Sequence, residues 1–221
     1  KGIFNKNLKN LKNKPLLYWS IQQCLNCKEI SDVWVSSDSE KIINLSKKFG
    51  AKTIKRPKKI SKDASSSESG WLHAINYFDK KNIPLDTLIA IQATSPLRES
   101  KDIENALNQF YLNKNDSLFT GSNSSEIFFN WNKTISKIKP NYNIFKRTRR
   151  QHLPNLILEN GSFFIFNKEK FKKIKNRMFG KIGVYLMNKI KSFQIDELND
   201  LEIIRSIMNS KKIIKKFNNF L

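Results

Sequence analysis

The chain has 221 residues, with 41 Lys and Arg against 19 Asp and Glu, and a formal net charge of +22 at pH 7. Hydrophobic residues make up 39% of it, with 7 Gly and 6 Pro, which favours a folded domain over a disordered segment. No stretch approaches the roughly 18 apolar residues of a membrane span. No charged and apolar leader is visible either, so we expect a cytoplasmic protein that does not enter a membrane.

The basic residues are mostly Lys, spread along the chain among many Asn and Ile. No zinc-finger, RNP-type or basic-zipper pattern accompanies them, so nucleic-acid binding is not the expected main function. A basic surface suits an anionic nucleotide or sugar acid equally well. The Cys24-x-x-Cys27 pair lacks the second pair of ligands that a structural zinc site needs, and we expect both cysteines to pack in the core.

The first half of the chain alternates helical and extended patterns after a polar loop at residues 1–8. Such alternation indicates βα units and a mainly parallel sheet. In chain order the pattern predicts a helix at 15–25, a strand at 30–36, a helix at 40–49, a strand at 51–56, a loop at 58–67, a helix at 68–81 and a strand at 87–91.

The second half starts with a predicted helix at 100–113 and strand at 116–120, and the alternation then stops between Gly121 and Glu159. This excursion contains a predicted hairpin, with strands at 127–131 and 135–138 around an Asn132-Lys133 turn. Its many aromatic residues favour packing against another subunit, with a single-chain lid as the alternative. Further predicted elements are strands at 162–166, 184–187 and 192–195, a helix at 198–208 and a basic amphipathic tail at 211–221.

Polar residues follow several of the predicted strands. Gln92, Thr94 and Ser95 come after one strand, and Asp196 comes after the last one. The carboxyl ends of parallel strands share one edge of a sheet, so these residues are expected to converge there. Asp196 is a candidate Mg²⁺ ligand because this ion prefers oxygen donors. Its alternative role is to cap the helix that follows.

Two polar loops are candidates for holding phosphates. Lys1 and Lys6, in a loop with Gly2 and Asn7, offer ammonium groups and backbone N–H donors, although such a loop is often only solvated. The serines at 65–67 precede a predicted helix and offer an anion or ribose cradle, or simple caps. No pattern of nucleophile and base is convincing. The set suits phosphoryl or nucleotidyl transfer, where positioning and charge neutralisation suffice.

A set of short motifs runs in a fixed order along nearly the whole chain. They are Lys1-Gly2-x-x-x-Lys6-Asn7-Leu8, Lys14-Pro15-Leu16, Val35-Ser36-Ser37-Asp38-Ser39, Phe49-Gly50-Ala51, Arg56-Pro57, Asp63-Ala64-Ser65-Ser66-Ser67, Gln92-Ala93-Thr94-Ser95-Pro96-Leu97-Arg98, Arg150-Gln151-His152-Leu153-Pro154, Glu159-Asn160-Gly161-Ser162 and Ile195-Asp196. In order and spacing this set resembles the acylneuraminate cytidylyltransferases, or CMP-sialic acid synthetases.

The resemblance implies a Rossmann-like α/β nucleotidyltransferase that forms a single domain over residues 1–221. In such an enzyme the anomeric hydroxyl of a sugar acid attacks the α-phosphate of CTP and releases pyrophosphate, with Mg²⁺ neutralising the phosphates. The excursion at 121–159 would correspond to the family's dimerisation element, which reaches toward the partner's active site. A homodimer is therefore expected.

The resemblance also implies roles for individual residues, by their positions in the motifs. The implied roles are catalysis for Lys6 and Asp196, metal binding for Asp196, nucleotide binding for Lys1, Gly2, Lys6, Asn7, Arg56, Ser65 and Ser67, and sugar binding for Gln92, Thr94, Ser95, Arg150 and Asn160.

The sequence departs from the family pattern at three places. A first strand and an Ala-Arg-x-x-Ser triphosphate loop are expected before Lys1. We expect the sequence to be part of a longer chain, and the alternative is a protein that lacks an inner strand and a phosphate-binding Arg. The family often has Asp-x-Asp at the last strand, and here Gln194 takes the first position, which is expected to weaken Mg²⁺ binding. Phe129 or Asn130 stands where some members have a Lys that contacts the sugar.

The expected substrates are therefore CTP and a nine-carbon sialic-type acid. The alternatives within the same chemistry are legionaminate, pseudaminate and the eight-carbon octulosonate. An alternative of another class is a degenerate, non-catalytic module that uses its positive charge to bind polyanions.

Overall fold

Helices and strands alternate along most of the chain, in the order that the sequence pattern predicts. The computed structural model describes residues 3–124, 130–134 and 137–210. The helices are α1 (Leu16–Leu25), α2 (Glu40–Lys48), α3 (Ser67–Lys80), α4 (Ser100–Leu112), α5 (Lys168–Ile174) and α6 (Leu198–Asn209). The strands are β1 (Asn10–Leu11), β2 (Lys14–Pro15), β3 (Trp34–Ser37), β4 (Lys52–Lys55), β5 (Thr87–Ile91), β6 (Ser117–Asn123), β7 (Trp131–Lys133), β8 (Ile138–Pro140), β9 (Ile157–Asn167) and β10 (Ile182–Leu186).

The largest sheet has the strand order β10-β6-β9-β5, and β3 and β4 form a separate parallel pair. Strand β10 is parallel to β6, whereas β9 is antiparallel to both β6 and β5. The predicted α/β fold is confirmed, and its parallel strands are joined by one antiparallel strand that the sequence pattern did not predict. Strand β9 follows the irregular excursion and not a crossover helix, so nothing in its connection requires parallel pairing.

Strand β9 carries much of the core on its two faces. Phe163 and Ile165 pack with residues of α4, while Phe164 and Phe166 pack with Ile75 of α3 and with α5. All four β9 side chains are buried, as expected for a strand covered by helices on both sides. The two cysteines lie in the first of these clusters and are free, as predicted.

Residues 10–15 fold into a small hairpin, whereas the sequence pattern predicts no strand there and starts a helix at Pro15. Its two-residue turn, Lys12 and Asn13, has φ values of 53° and 62°, the left-handed conformation that tight hairpins need. No glycine marks this turn, which is why the pattern does not reveal it. The Lys12 Nζ donates to the carbonyl of Met208 and Arg205 donates to that of Asn10, so the hairpin is held against α6.

Other elements differ from prediction in detail. The short helix α5 is not predicted, and residues 192–195 are irregular and not a strand. The hairpin of the excursion has its strands β7 and β8 further along the chain, because Thr134 closes the turn through its hydroxyl and backbone bonds to Lys137. The tail at 211–221 and the predicted strand residues 127–129, 135 and 136 lie outside the described residues. None of the described helices combines the length and the apolar composition of a membrane span.

Candidate functional site

Three distant segments meet at the edge where β5 ends. The backbone N–H of Gln92 donates to the carbonyl of Ser162 in β9 at 3.0 Å. The carbonyl of Thr94 accepts from the backbone N–H of Ile195 at 2.9 Å. The loop after β5, the start of the buried part of β9 and the approach to α6 are therefore joined. Residues 192–195 form no strand, so the predicted shared edge of parallel strands does not explain the position of Asp196.

Lys6 and Asp196 form a direct ion pair, although 190 residues separate them in the sequence. The Lys6 Nζ lies 2.9 Å from the Asp196 Oδ1, and the two side chains are 21% and 68% exposed. An ion pair so open to solvent contributes little to stability. Both partners therefore remain accessible to a charged ligand.

The start of α6 fixes the backbone next to this pair. The N-cap residue of α6 is Glu197, so the alternative capping role of Asp196 is not what the structure has. The Asp200 Oδ2 accepts from the backbone N–H groups of Glu197 and Asp196 at 2.7 and 2.8 Å. These two bonds, with a smaller contribution from the Lys6 charge, lower the pKa of Asp200.

The loop after β5 presents polar side chains that its own fold does not use. No described residue forms a hydrogen bond with the Gln92 side-chain amide or with the Thr94 hydroxyl. Ser95 is fully buried, and within the described residues its hydroxyl has no hydrogen-bond partner. An unpaired polar group is costly to bury and is a common feature of binding sites.

Asn160 is largely buried, and its side chain is a junction between segments. Its Oδ1 accepts from the Thr120 hydroxyl at 2.6 Å and from the Ser162 N–H at 3.1 Å. Its Nδ2 donates to the Ser192 hydroxyl at 2.8 Å. A sugar that contacts Asn160, as predicted, would thus have to share or replace the hydrogen bonds that this side chain already makes.

Gln194 contacts the same region, at the position where the family often has an acidic residue. Its Nε2 donates to the Asn160 carbonyl, a bond that a carboxylate cannot make. The amide also lies over Gly161, where a Cβ atom would be only 2.9 Å from Nε2 and where φ is +60°. Gln194 is therefore a hydrogen-bond donor that holds β9.

Arg98 is an important residue of this edge to which the sequence reasoning gave no role. Its side chain is 1% exposed, and its Nη1 donates to the carbonyl and hydroxyl of Ser162 at 2.8 and 2.9 Å. Its Nη2 donates to Ser20 and Gln23 of α1, each at 3.0 Å. Burial lowers the pKa of Arg98 to about 10, which still leaves it charged at neutral pH. In the sequence, Arg98 is marked only as a charged residue at the end of an otherwise uncharged loop.

Other predicted nucleotide contacts lie around β4 and α3. The backbone N–H of Arg56 donates to the Ser37 carbonyl at 2.9 Å. The Arg56 guanidinium lies against Gly70, where a Cβ atom would be 3.1 Å from Nη1. Burial and the Arg56 charge lower the pKa of His73. Ser65 bonds within its own loop, and Ser67 is the first residue of α3, after the N-cap Ser66. Among described residues, no hydrogen bond or ion pair joins Arg56, Ser65 or Ser67 to Lys6 or Asp196.

The remaining predicted residues are only partly described. Asn7 follows Lys6 in a short 3₁₀ helix. Lys1, Gly2 and the side chain of Arg150 lie outside the described residues.

The oxygen donors at this edge fit a hard cation only in part. Asp196 offers an exposed carboxylate whose one described partner is Lys6. The described residues contain a group of three possible ligands, Cys27, Glu29 and Glu104, but it is elsewhere and includes a thiol. Mg²⁺ accepts one protein carboxylate when phosphates and water complete its shell. Asp196 therefore fits this ion in the presence of a nucleotide.

Comparison with known proteins gives the family. The model of a cytidylyltransferase family matches residues 1–218. The chain belongs to the cytidylyltransferase family. The chain is 28% identical to the post-translational flagellin modification protein B of Campylobacter coli, over 98% of the chain and 93% of that protein. It is 32% identical to N-acylneuraminate cytidylyltransferase B of Danio rerio, over 89% of the chain and 46% of that protein.

These matches confirm the resemblance to the acylneuraminate cytidylyltransferases. The chain spans about half the length of the N-acylneuraminate enzymes that it matches. It is also 25% identical to the pseudaminic acid cytidylyltransferase of Campylobacter jejuni, over 93% of the chain and 90% of that protein.

Solved structures support the same fold. The CMP:2-keto-3-deoxy-manno-octonic acid synthetase complexed with CTP has a TM-score of 0.69 at 13% identity, over 94% of this chain and 93% of that one. A 4-diphosphocytidyl-2C-methyl-D-erythritol synthase has a TM-score of 0.70 at 8% identity, over 93% and 95%. At such identities the likeness concerns the fold of this cytidylyltransferase and not its substrate.

Proposed function

We propose that this cytidylyltransferase transfers CMP from CTP to the anomeric hydroxyl of a nine-carbon sialic-type sugar acid and releases pyrophosphate. The observation that carries the proposal is the ion pair of Lys6 and Asp196, which lies beside the loop that holds Gln92 and Thr94. A cation for phosphates and a carboxylate for a metal are thus adjacent, next to polar groups that are available to a sugar.

Lys6 would bind the phosphates of CTP. Its side chain is 21% exposed, and its ammonium pairs with Asp196. A triphosphate carries more negative charge than one carboxylate, so Lys6 would exchange Asp196 for phosphate oxygens when the nucleotide binds. It would then neutralise the charge that develops on the leaving pyrophosphate, a contribution that depends on a fixed position.

Asp196, released from Lys6, would be free to hold Mg²⁺ together with phosphate oxygens. When bound, this ion supplies neutralisation of phosphate charge and polarisation of the reacting phosphate. The chain's own contribution is the position of the carboxylate, because Asp200 holds the backbone of Asp196 at the start of α6. Gln194 is not a candidate ligand in this proposal, since its amide is bonded to Asn160.

The sugar acid would lie against the loop after β5 and the start of β9. The Gln92 amide can donate to a carboxylate and accept from a hydroxyl. No described residue forms a hydrogen bond with it. Thr94 extends this polar wall. Ser95, the third predicted sugar contact of this loop, is fully buried and is not part of the exposed wall. Asn160 and Arg150 remain proposed sugar contacts, the former through a side chain that already bridges to Thr120.

The preference for a sialic-type acid rests on the relatives. Several N-acylneuraminate cytidylyltransferases match this chain, at 30% identity or above for those of Danio rerio. Pseudaminate is the strongest alternative, because the pseudaminic acid enzyme matches over 90% of its own length. Legionaminate and octulosonate remain further alternatives for the same reaction.

We also propose that a second copy of the chain covers the excursion. Several large apolar side chains there are exposed, and Phe145 at 91% and Ile138 at 65% are the most open of these. Trp131, Ile157 and Leu158 are between 40% and 51% exposed. An apolar group of this kind on one segment is typical of a surface that another protein covers, and copies of one chain most often pair symmetrically.

The substrate proposal predicts that pyrophosphate is released from CTP fastest with N-acetylneuraminate, in a panel that includes legionaminate, pseudaminate and octulosonate. Asp196→Asn should lower kcat/KM by at least about 100-fold, the usual effect of removing one electrostatic group from a transition state. Glu202→Gln, which changes an exposed carboxylate on α6, is the control and should retain activity. No turnover with any acid, together with salt-sensitive binding to RNA or heparin, would favour the polyanion-binding module instead.

Replacing Gln92 tests the sugar side of the site. Gln92→Ala should raise the KM for the sugar acid about 10-fold, the effect of about 1.4 kcal/mol from one lost hydrogen bond. The KM for CTP should change much less, because the amide lies on the wall assigned to the sugar. Steady-state kinetics with each substrate varied in turn measures both values. An equal rise in the two KM values would refute the assignment.

The dimer proposal predicts a particle of twice the 25.9 kDa chain mass in sedimentation equilibrium. The double variant Ile138→Ser and Phe145→Ser should shift the equilibrium to monomer, because it removes two exposed apolar side chains from the surface. Leu112→Ser changes a residue of α4 that is 84% exposed, outside the excursion, and should leave the dimer intact. A monomeric unsubstituted chain would contradict the proposal.

A further inference from the structure

Lys191 carries a charge that is buried in the protein. The residue is 5% exposed, and its Nζ lies 2.8 Å from the Glu99 Oε2 and 3.2 Å from the Asp102 Oδ1. Asp102 also accepts from the Glu99 N–H at 2.8 Å, in the capping box that starts α4. The Tyr185 hydroxyl donates to Asp102 at 3.4 Å. Lys191 therefore joins the segment before α6 to the start of α4.

A buried ion pair of this kind adds little to the stability of the fold. Desolvation of two charges offsets most of their attraction, and well-packed apolar residues often serve equally well. The pair does restrict Lys191 to one position against Glu99 and Asp102, because an unpaired charge in this place would be strongly unfavourable. The arrangement therefore fixes the position of residue 191 relative to α4.

The irregular segment 187–197, between β10 and α6, connects Lys191 to the candidate site in a few steps. The Ser192 hydroxyl accepts from Asn160, and Gln194 donates to the Asn160 carbonyl. The Ile195 N–H then donates to the Thr94 carbonyl, and Asp196 pairs with Lys6. The segment has no regular secondary structure of its own, so side-chain and single backbone bonds determine its path.

We propose that Lys191 is a positioning residue, which anchors segment 187–197 to α4 and thereby places Asp196 against Lys6 and beside Thr94. This inference rests on the proposed function of that edge. Loss of the anchor displaces the carboxylate that faces the nucleotide phosphates, and a displacement of about 1 Å is enough to lower turnover by roughly 100-fold.

The experiment separates positioning from stability with a double variant. Lys191→Met leaves Asp102 buried without its cation and should lower the melting temperature. In the double variant Lys191→Met and Asp102→Asn the uncompensated buried charge is gone, and part of the melting temperature should return. Glu99 needs no compensation, because its side chain is 43% exposed. We expect kcat to stay 10- to 100-fold low in the double variant, with a nearly unchanged KM for CTP.

The control is Lys168→Met, which breaks another shielded lysine ion pair. Lys168 is 15% exposed and lies 2.6 Å from Asp79, between α5 and α3. Lys172 lies 2.7 Å from the same carboxylate and stays in the variant, so Asp79 keeps one cation and the expected loss of stability is smaller. This variant should lose stability and keep its kcat. Activity that follows the melting temperature in all variants, and is restored in the double variant, would overturn the positioning role.

A second measurement does not depend on turnover. Amide hydrogen exchange of Ile195 and Asp196, whose N–H groups bond to Thr94 and Asp200, should be faster in the double variant and unchanged in Lys168→Met. If the unsubstituted chain turns over no sugar acid, the proposed function fails and the exchange result still decides whether Lys191 places the segment. Unchanged exchange at both amides would overturn the inference.

Discussion

The buried guanidinium of Arg98 holds together the parts of the chain that form the candidate site. Its two terminal nitrogens bond to Ser162 of β9 on one side and to Ser20 and Gln23 of α1 on the other. A buried charge is strongly unfavourable unless hydrogen bonds compensate it, so these partners are needed where they are. The Arg98 Nε is also buried and has no hydrogen-bond partner among the described residues. Gln23 returns a bond to the Pro96 carbonyl, which fixes the loop that carries Gln92.

A second group of contacts builds the other wall. Lys191 fixes the segment before α6, and Asp200 fixes the backbone of Asp196 within it. The amino-terminal hairpin rests on α6 and brings Lys6 to Asp196. The ion pair of Lys6 and Asp196, with side chains that are 21% and 68% exposed, is more open to solvent than that of Lys191. It consists of the two residues that a triphosphate and its cation would engage. These contacts hold the backbone in place, while the ion pair can exchange its partners. Such an arrangement suits nucleotidyl transfer, where fixed charges supply most of the catalysis.

Much of this arrangement is legible in the sequence, and the exceptions have physical reasons. Alternating periodicities predict most of the helices and strands. The meeting of Gln92 and Asp196 is predicted too, but from a strand at 192–195 that the structure does not have, and a backbone bond from Ile195 to Thr94 joins the two segments instead. The apolar run of β9 looks the same in either direction, so the sequence does not predict its antiparallel pairing. The turn at Lys12 and Asn13 has no glycine to mark it. Lys191 cannot be distinguished, by type, from the other basic residues of a chain with 41 Lys and Arg.

We expect Lys6, Asp196 and the loop after β5 to form one ligand site. Amide hydrogen exchange with and without CTP and Mg²⁺, then with the sugar acid added, tests it directly. We expect CTP to slow exchange at residues 6–8 and 195–197 together, and the sugar acid to extend protection to 92–95. Binding of CTP that protects other lysine-rich surfaces and leaves these segments unchanged would contradict the account.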